Sequence, residues 1–244
     1  MKDLVYGLTD VGRRRDNNQD QLLVDEQLQV YAIADGMGGH AAGEVASRIA
    51  IQALAETVAE HTTTMEADKL LVASYVEGNR RICESVLARA EWRGMGTTIV
   101  GILRRGDTAS IAHVGDSRAY VLRRGKLIQL TDDHSWVGEQ VRMGLLTSEE
   151  AASHPMRNIV TRAMGNRLEL EVDVADHAIE EGDIFLLCSD GLNSMIDDDA
   201  IAQLLEEHQD DPKISCRKLI AAANDRGGDD NITVVVFAPG RGSD

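Results

Sequence analysis

The spacing of apolar residues switches between strand and helix periods along the chain, and the switches outline the elements. Residues 5–9 read as a short strand, followed by a polar, arginine-rich turn over 10–20. Residues 21–24 and 28–34 are two more strands, and Asp35-Gly36-Met37-Gly38-Gly39-His40 is a glycine-rich loop. Helical spacing then takes over across 42–60 and 66–92, where Val45, Ile49, Leu54, Leu71, Tyr75, Ile82 and Val86 recur on one face. This predicts a helix pair packed on a sheet. The pattern returns to strands at 97–103, 108–114, 118–122 and 126–130. Arg104-Arg105-Gly106-Asp107 and Arg123-Arg124-Gly125-Lys126 form the hairpin turns, read as solvated loop tips.

Residues 132–165 carry few apolar runs and read as irregular or briefly helical. A connection this long in a compact domain is often a lid or binding loop, the alternative being a small insertion with no role. Strands follow at 169–174 and 183–188, helices at 198–208 and 214–224, and a final strand at 232–237. Strands and helices are segregated, which argues against alternating βαβ units. The expected fold class is α+β: a four-layer αββα sandwich with two central, mostly antiparallel sheets flanked by helix pairs. No repeat or domain boundary is visible. One catalytic domain over 1–238 is expected, with a flap at about 135–165 and a tail at 239–244.

Composition narrows the partners. The net charge of −16 makes nucleic acid and anionic membranes poor partners, and for most of the acidic surface it serves solubility. A phosphorylated partner would be repelled as well unless bound cations reversed the local field. Cys83, Cys188 and Cys216 are widely spaced and lack a paired motif, so reduced thiols are expected. Met1-Lys2-Asp3-Leu4 carries no apolar signal core, and no stretch approaches the roughly 20 apolar residues of a membrane span. A cytoplasmic protein, monomeric by default, is expected.

The candidate chemistry lies in aspartates that adjoin apolar runs: Asp35-Gly36, Asp116-Ser117, Asp190-Gly191 and Asp230-Asn231, together with Asp20. Each Asp-Gly taken alone is an ordinary turn. If the fold gathers them, each close pair costs about 1 to 4 kcal/mol near a surface. Mg2+ or Mn2+, which favour oxygen ligands, would remove that repulsion. The array therefore reads as a metal site built from distant strand ends.

Eight motifs occur in order: Thr9-Asp10-x-Gly12-x-x-Arg15-x-x-Asn18-x-Asp20, Asp35-Gly36-Met37-Gly38-Gly39-His40, Gly96-Thr97-Thr98, Gly115-Asp116-Ser117-Arg118, Leu130-Thr131-x-Asp133-His134-Ser135, Thr161-Arg162-Ala163-Met164-Gly165, Cys188-Ser189-Asp190-Gly191-Leu192 and Gly228-x-Asp230-Asn231-Ile232-Thr233. In this register the chain resembles the metal-dependent serine/threonine protein phosphatases of the type 2C (PPM) family, in their compact bacterial form. The resemblance implies two Mn2+ or Mg2+ ions and a third, weaker divalent ion. It implies hydrolysis of phosphoserine and phosphothreonine in proteins by a metal-bridging hydroxide, with no phosphoenzyme, opposing a bacterial Ser/Thr kinase of eukaryotic type.

The same resemblance implies roles. Asp35 bridges both metals and the carbonyl of Gly36 serves one of them; Asp190 and Asp230 complete the other. Asp116 holds the third metal, and Asp20 orients metal-bound water from behind the ligands. Arg15 grips the substrate phosphate through its planar fork, while Arg13 and Arg14 read as surface charge. Animal-type members carry histidine at the place of Met37, where it is the proposed general acid. Met37 cannot donate a proton, so His40 is the candidate, with metal-bound water as its competitor. Gln19 replaces a glutamate of the animal-type members, which puts the affinity of one metal in doubt. His134 reads as a structural hydrogen-bonding residue, with substrate contact as the alternative. Met143-Gly144-Leu145-Leu146 resembles the family's flap, and Asp197-Asp198-Asp199 reads as helix capping. Two other functions stay open: a non-catalytic phosphoprotein-binding module of the same fold, and a phosphatase of small phosphate esters.

Overall fold

The structure is a computed structural model and describes residues 3–38 and 42–240. The chain opens with strands β1 (Leu4–Asp10), β2 (Asp20–Asp25) and β3 (Val30–Met37), then helices α1 (Ala42–His61) and α2 (Ala67–Ala88). Five strands follow: β4 (Gly96–Thr97), β5 (Ile99–Arg105), β6 (Thr108–Val114), β7 (Arg118–Arg123) and β8 (Lys126–Gln129). Two short helices, α3 (Trp136–Arg142) and α4 (Ser148–Ser153), occupy the long connection. Strands β9 (Asp173–Ala178) and β10 (Ile184–Cys188), helices α5 (Asp190–Asn193), α6 (Asp198–Glu207) and α7 (Pro212–Asp225), and strand β11 (Ile232–Ala238) complete it.

The strands form two antiparallel sheets, in the orders β1-β11-β10-β7-β8 and β2-β3-β5-β6-β9, with β4 paired to β3. Alternation along each strand divides the apolar residues between two faces. In β3, Tyr31 and Ile33 point between the sheets, whereas Val30, Ala32 and Ala34 meet α1 and α2. In β11, Val235 and Phe237 point between the sheets, whereas Ile232, Val234 and Val236 pack towards α6 and α7. Three apolar layers thus separate four structural layers, as the predicted αββα sandwich requires. Among the described residues no helix is long and apolar enough to cross a membrane.

Three expectations need correction. The second helix does not run to Trp92: it ends at Ala88, Arg89 turns extended, and a 3-10 turn spans Ala90–Trp92. The strand expected at 169–174 lies at Asp173–Ala178. Leu170 and Val172 instead pack against the first helical core, while the polar β9 is fixed as an edge strand by main-chain pairing to β6. The basic hairpin turn at 104–107 is not a solvated tip. Arg104 is buried and ion-paired with Asp3, and Arg105 donates to Thr62.

Strand directions define two poles. Asp10, Asp20, Asp35, Val114, Arg118, Cys188 and Ile232 lie at or near the ends of their strands at one pole, as the registers Asp10↔Ile232, Asp20↔Asp35 and Cys188↔Arg118 require. Leu4, Leu103, Leu122 and Ala238 lie at the other. The motif residues cluster at the first pole.

Candidate metal centre

Asp35 sits near the end of β3, where a short clamp fixes its main chain. Its carbonyl accepts from Thr98 N at 2.9 Å and from Thr97 Oγ1 at 2.8 Å, and its N–H donates to Thr98 Oγ1 at 3.3 Å. Gly36 follows because nothing larger fits: a Cβ there would lie 2.1 Å from the carbonyl oxygen of Gly43 at the start of α1. Directly across the ladder from Asp35 is Asp20. Its Oδ2 accepts from Thr233 Oγ1 at 2.6 Å and Ser189 Oγ at 2.8 Å. Its Oδ1 is buried and has no partner among the described residues.

Asp190 stands at the first position of α5, just beyond β10. It lies within hydrogen-bonding reach of Asp35, and its Oδ1 is likewise buried without a partner among the described residues. Asp230 precedes β11. Its Oδ1 accepts from Asn231 N at 2.8 Å and its Oδ2 from Arg15 Nη2 at 2.7 Å. Asp116 is buried in the turn between β6 and β7. Folding therefore brings Asp20, Asp35, Asp116, Asp190 and Asp230 to one pole, and all of the others act on Asp35 electrostatically.

The electrostatic consequence is a cluster of carboxyl groups that resist ionisation. Burial, followed by the charges of Asp20, Asp190, Asp116 and Asp230, pushes Asp35 well above the usual carboxylate range. Burial raises Asp20 to about 7, against the lowering hydrogen bonds of Thr233 and Ser189. Burial and then Asp190 raise Asp116 to about 8, and burial and then Asp230 raise Asp190 to about 6. The Asp230 hydrogen bond stabilises the charged form of Arg15. Oxygen donors only, clustered negative charge and two orphaned carboxylate oxygens make a chemically suitable nest for hard divalent cations.

The connection over 135–165, expected to be a flap, adjoins this nest. Its two stems pair through a Ser135↔Val160 bridge and a Trp136 N to Ile159 O bond of 2.8 Å. Ser135 caps α3, and a Thr147–Glu150 capping box starts α4. Met143 and Leu145 are exposed on it. A cavity of about 920 Å³ lies against the flap and borders the carboxylates through Asp116 and Asp190, with Arg118, Asp133, Arg142 and Arg157 among its lining residues. Arg15, Asp35 and Asp230 are not part of that lining.

His134 has the structural role expected of it. It is buried at the flap root, its Nδ1 accepts from Gly115 N at 3.0 Å, and its Nε2 faces Asp173 at 3.2 Å. His113, His134 and Asp173 together could form a metal-binding group, but Arg162 already pairs with Asp173, and His113 Nε2 contacts Asp132 O at 2.8 Å. Protein groups satisfy these atoms, and a cation would have to displace a guanidinium. Asp197 caps α6 by accepting from Ala200 N, as expected. His40, the candidate proton donor, lies outside the described residues, as does Gly39. The roles of Ser189 and Thr233 were not foreseen from sequence. Their signal is faint: two hydroxyl residues at strand ends, one beside and one three positions from a candidate ligand.

Comparison with known proteins then gives this constellation a family. The model for protein phosphatase 2C matches residues 12–212. The serine/threonine protein phosphatase PstP of Mycobacterium tuberculosis is 41% identical over 230 residues, covering 93% of this chain and 43% of that protein. The chain thus spans less than half the length of PstP. The serine/threonine phosphatase stp of Listeria monocytogenes is 38% identical over 234 residues, covering 93% of this chain and 92% of its own. The crystal structure of M. tuberculosis PstP superposes with a TM-score of 0.90 at 39% identity, covering 96% of this chain and 98% of that one. A second structure, the PstP catalytic domain in complex with two manganese ions, gives a TM-score of 0.86 at 37% identity, with coverage of 96% and 97%.

Proposed function

The chain belongs to the protein phosphatase 2C family, and on that premise we propose that it is a Mn2+- or Mg2+-dependent phosphatase of phosphoserine and phosphothreonine in proteins. The observation that carries this reading is the convergence of Asp35, Asp190 and Asp230 from three strand ends, with the buried Oδ1 of Asp190 unpartnered among the described residues. The unit proposed for the activity spans 1–238, with the flap at about 135–165 and a tail from 239, whose last four residues lie outside those described.

Asp35 and the carbonyl of Gly36 would hold one metal, with Asp35 shared by the second, which Asp190 and Asp230 would complete. Asp116 would hold a third, weaker ion. Bound metals would supply Lewis-acid polarisation of the phosphoryl group, activation of water and neutralisation of charge. Asp20, anchored by Ser189 and Thr233, would orient a water through its free oxygen. Arg15, now on Asp230, would present its fork to the phosphate of the substrate. Met37 has no proton to give, so His40 remains our candidate for protonating the leaving alkoxide.

We place the protein in the cytoplasm as a monomer acting on phosphoproteins, including those of a Ser/Thr kinase it opposes. Two relatives named for serine/threonine phosphatase activity support the substrate class. A net charge of −16 favours solubility and separation of copies. The test is hydrolysis of a phosphothreonine peptide under Mn2+ titration. Turnover should depend on Mn2+ and vanish with EDTA. Asp35→Ala should lower it by about 10²–10³-fold or more, the scale of losing one electrostatic stabiliser. Absence of turnover from folded, Mn2+-saturated protein would sink the enzyme reading. A preference for small phosphate esters over the peptide would replace the substrate class.

A further inference from the structure

The turn between β1 and β2 carries Arg13, Arg14 and Arg15, a concentrated positive charge in a chain of net charge −16. The phosphatase reading uses only Arg15. A loose, solvated tip would leave the other two as surface charge, but this turn is not loose. Gly12 N donates to Asp10 Oδ1 at 2.9 Å, and Arg13 N donates to Gly228 O at 2.7 Å. Asn231 Nδ2 donates to Val11 O at 3.0 Å and to Asn17 O at 2.9 Å, while Gln19 N donates to Asn231 Oδ1 at 2.8 Å. Gly12 has φ 81°, and a Cβ there would lie 2.2 Å from the carbonyl oxygen of Asp230. The backbone that carries the arginines is therefore fastened to the loop that carries Asp230.

Arg13 and Arg14 are exposed beside Arg15, which touches Asp230. The carboxylate nearest Arg14 is Asp229, at 3.8 Å, with the two side chains 72% and 64% exposed. Such a pair is weak and easily exchanged. The Arg13 guanidinium has no partner among the described residues. Two cations are thus held ready on a rigid rim within a few residues of the phosphate-binding arginine. An extended peptide advances about 3.3–3.6 Å per residue, so a group one to three residues from the phosphorylated one lies within about 11 Å of it along the chain.

We propose that Arg13 and Arg14 form a second anion subsite, which selects phosphoprotein segments carrying another negative group within about one to three residues of the phosphorylated Ser or Thr. The group is a carboxylate or a second phosphate. This inference rests on the phosphatase reading above. It also opposes the whole-molecule charge, which by itself disfavours acidic substrates.

The experiment compares kcat/KM of the Mn2+-loaded full chain on three phosphothreonine peptides of equal length. One has neutral flanks, one has glutamates two residues away, and one has a second phosphothreonine there. Two exposed arginines should give the acidic or doubly phosphorylated peptide a preference of about 3- to 10-fold at about 0.05 M salt, shrinking at about 0.5 M. The difference should lie in KM rather than kcat. The double variant Arg13→Gln, Arg14→Gln should abolish the preference, and Asp229→Asn, which frees Arg14, should increase it. A response confined to the doubly phosphorylated peptide would make phosphate the second group; a response to both would admit carboxylate as well. Equal or lower kcat/KM on both anionic peptides would overturn the subsite alone, as would a preference that survives in the double variant. Failure to hydrolyse any of the three, the neutral one included, would overturn the phosphatase reading and the subsite with it.

Discussion

The two poles of the sandwich bury aspartates to similar depth and treat them in opposite ways. At the pole away from the metal centre, Asp3 receives Arg104, Gln29 Nε2 at 3.1 Å, Tyr31 Oη at 3.3 Å and Gly240 N at 2.8 Å. Asp183 receives two bonds from Arg123, at 2.8 and 2.7 Å, and Glu180 N at 2.7 Å. At the other pole, Asp20 and Asp116 are as deeply buried, yet among the described residues no arginine bonds to either. Arg118, two residues from Asp116, is spent on Asp133, and Arg15 bonds to Asp230. A buried charge is costly unless it is paired. The pole away from the metal centre carries its own countercharge, whereas the metal pole is arranged for countercharge brought from solution.

The comparison can be broken at either end. The largest effect is expected at the self-neutralised pole. Arg104→Met leaves the Asp3 carboxylate buried without its cation, which should cost about 3–5 kcal/mol of stability in denaturant unfolding. Mn2+ affinity should stay within twofold, and a matching loss of metal affinity would show that the poles are not independent. A smaller effect of opposite sign is expected at the metal pole. The folded-state pKa of Asp190 is raised to about 6, so at pH 7.5 its ionisation works against the metal-free fold. Asp190→Asn should therefore stabilise the metal-free protein by roughly 2 kcal/mol, or about 4–8 °C in Tm, while removing Mn2+-dependent activity. Unchanged or lower stability of that variant would deny that repulsion is stored in the site.

The layers were legible because the continuous apolar runs of β3, β5, β10 and β11 follow directly from burial on both faces, and the helical spacing of α1 and α2 from burial on one. The ligand candidates were legible because each sits at the end of an apolar run, where the chain turns. What stayed hidden depends on distant partners or on main-chain pairing. Arg104 reads as a turn residue until Asp3, 101 positions away, folds against it. Polar β9 is a strand only because β6 offers it a hydrogen-bonding edge. The grip of Ser189 and Thr233 on Asp20 joins residues 169 and 213 positions apart. Two hydroxyls carry no hydrophobic period that could announce it.

The central claim is that carboxyl groups at the metal pole hold protons that metal ions displace. Their folded pKa values are raised, so the metal-free fold binds more protons than the unfolded chain above the ordinary carboxylate range. The stability they contribute is fully present below about pH 4 and is lost as pH rises through about 6 to 8, where Asp190, Asp20 and Asp116 ionise. Calorimetric titration with Mn2+ in buffers of different ionisation enthalpy measures the displaced protons directly. At about pH 6 to 6.5, below the raised values of Asp20 and Asp116 and above the ordinary range, we expect release of one or more protons per chain, declining towards zero above the highest of them. The Arg104→Met variant should release the same number. Mn2+ binding with no proton release anywhere between about pH 6 and pH 8 would contradict the account.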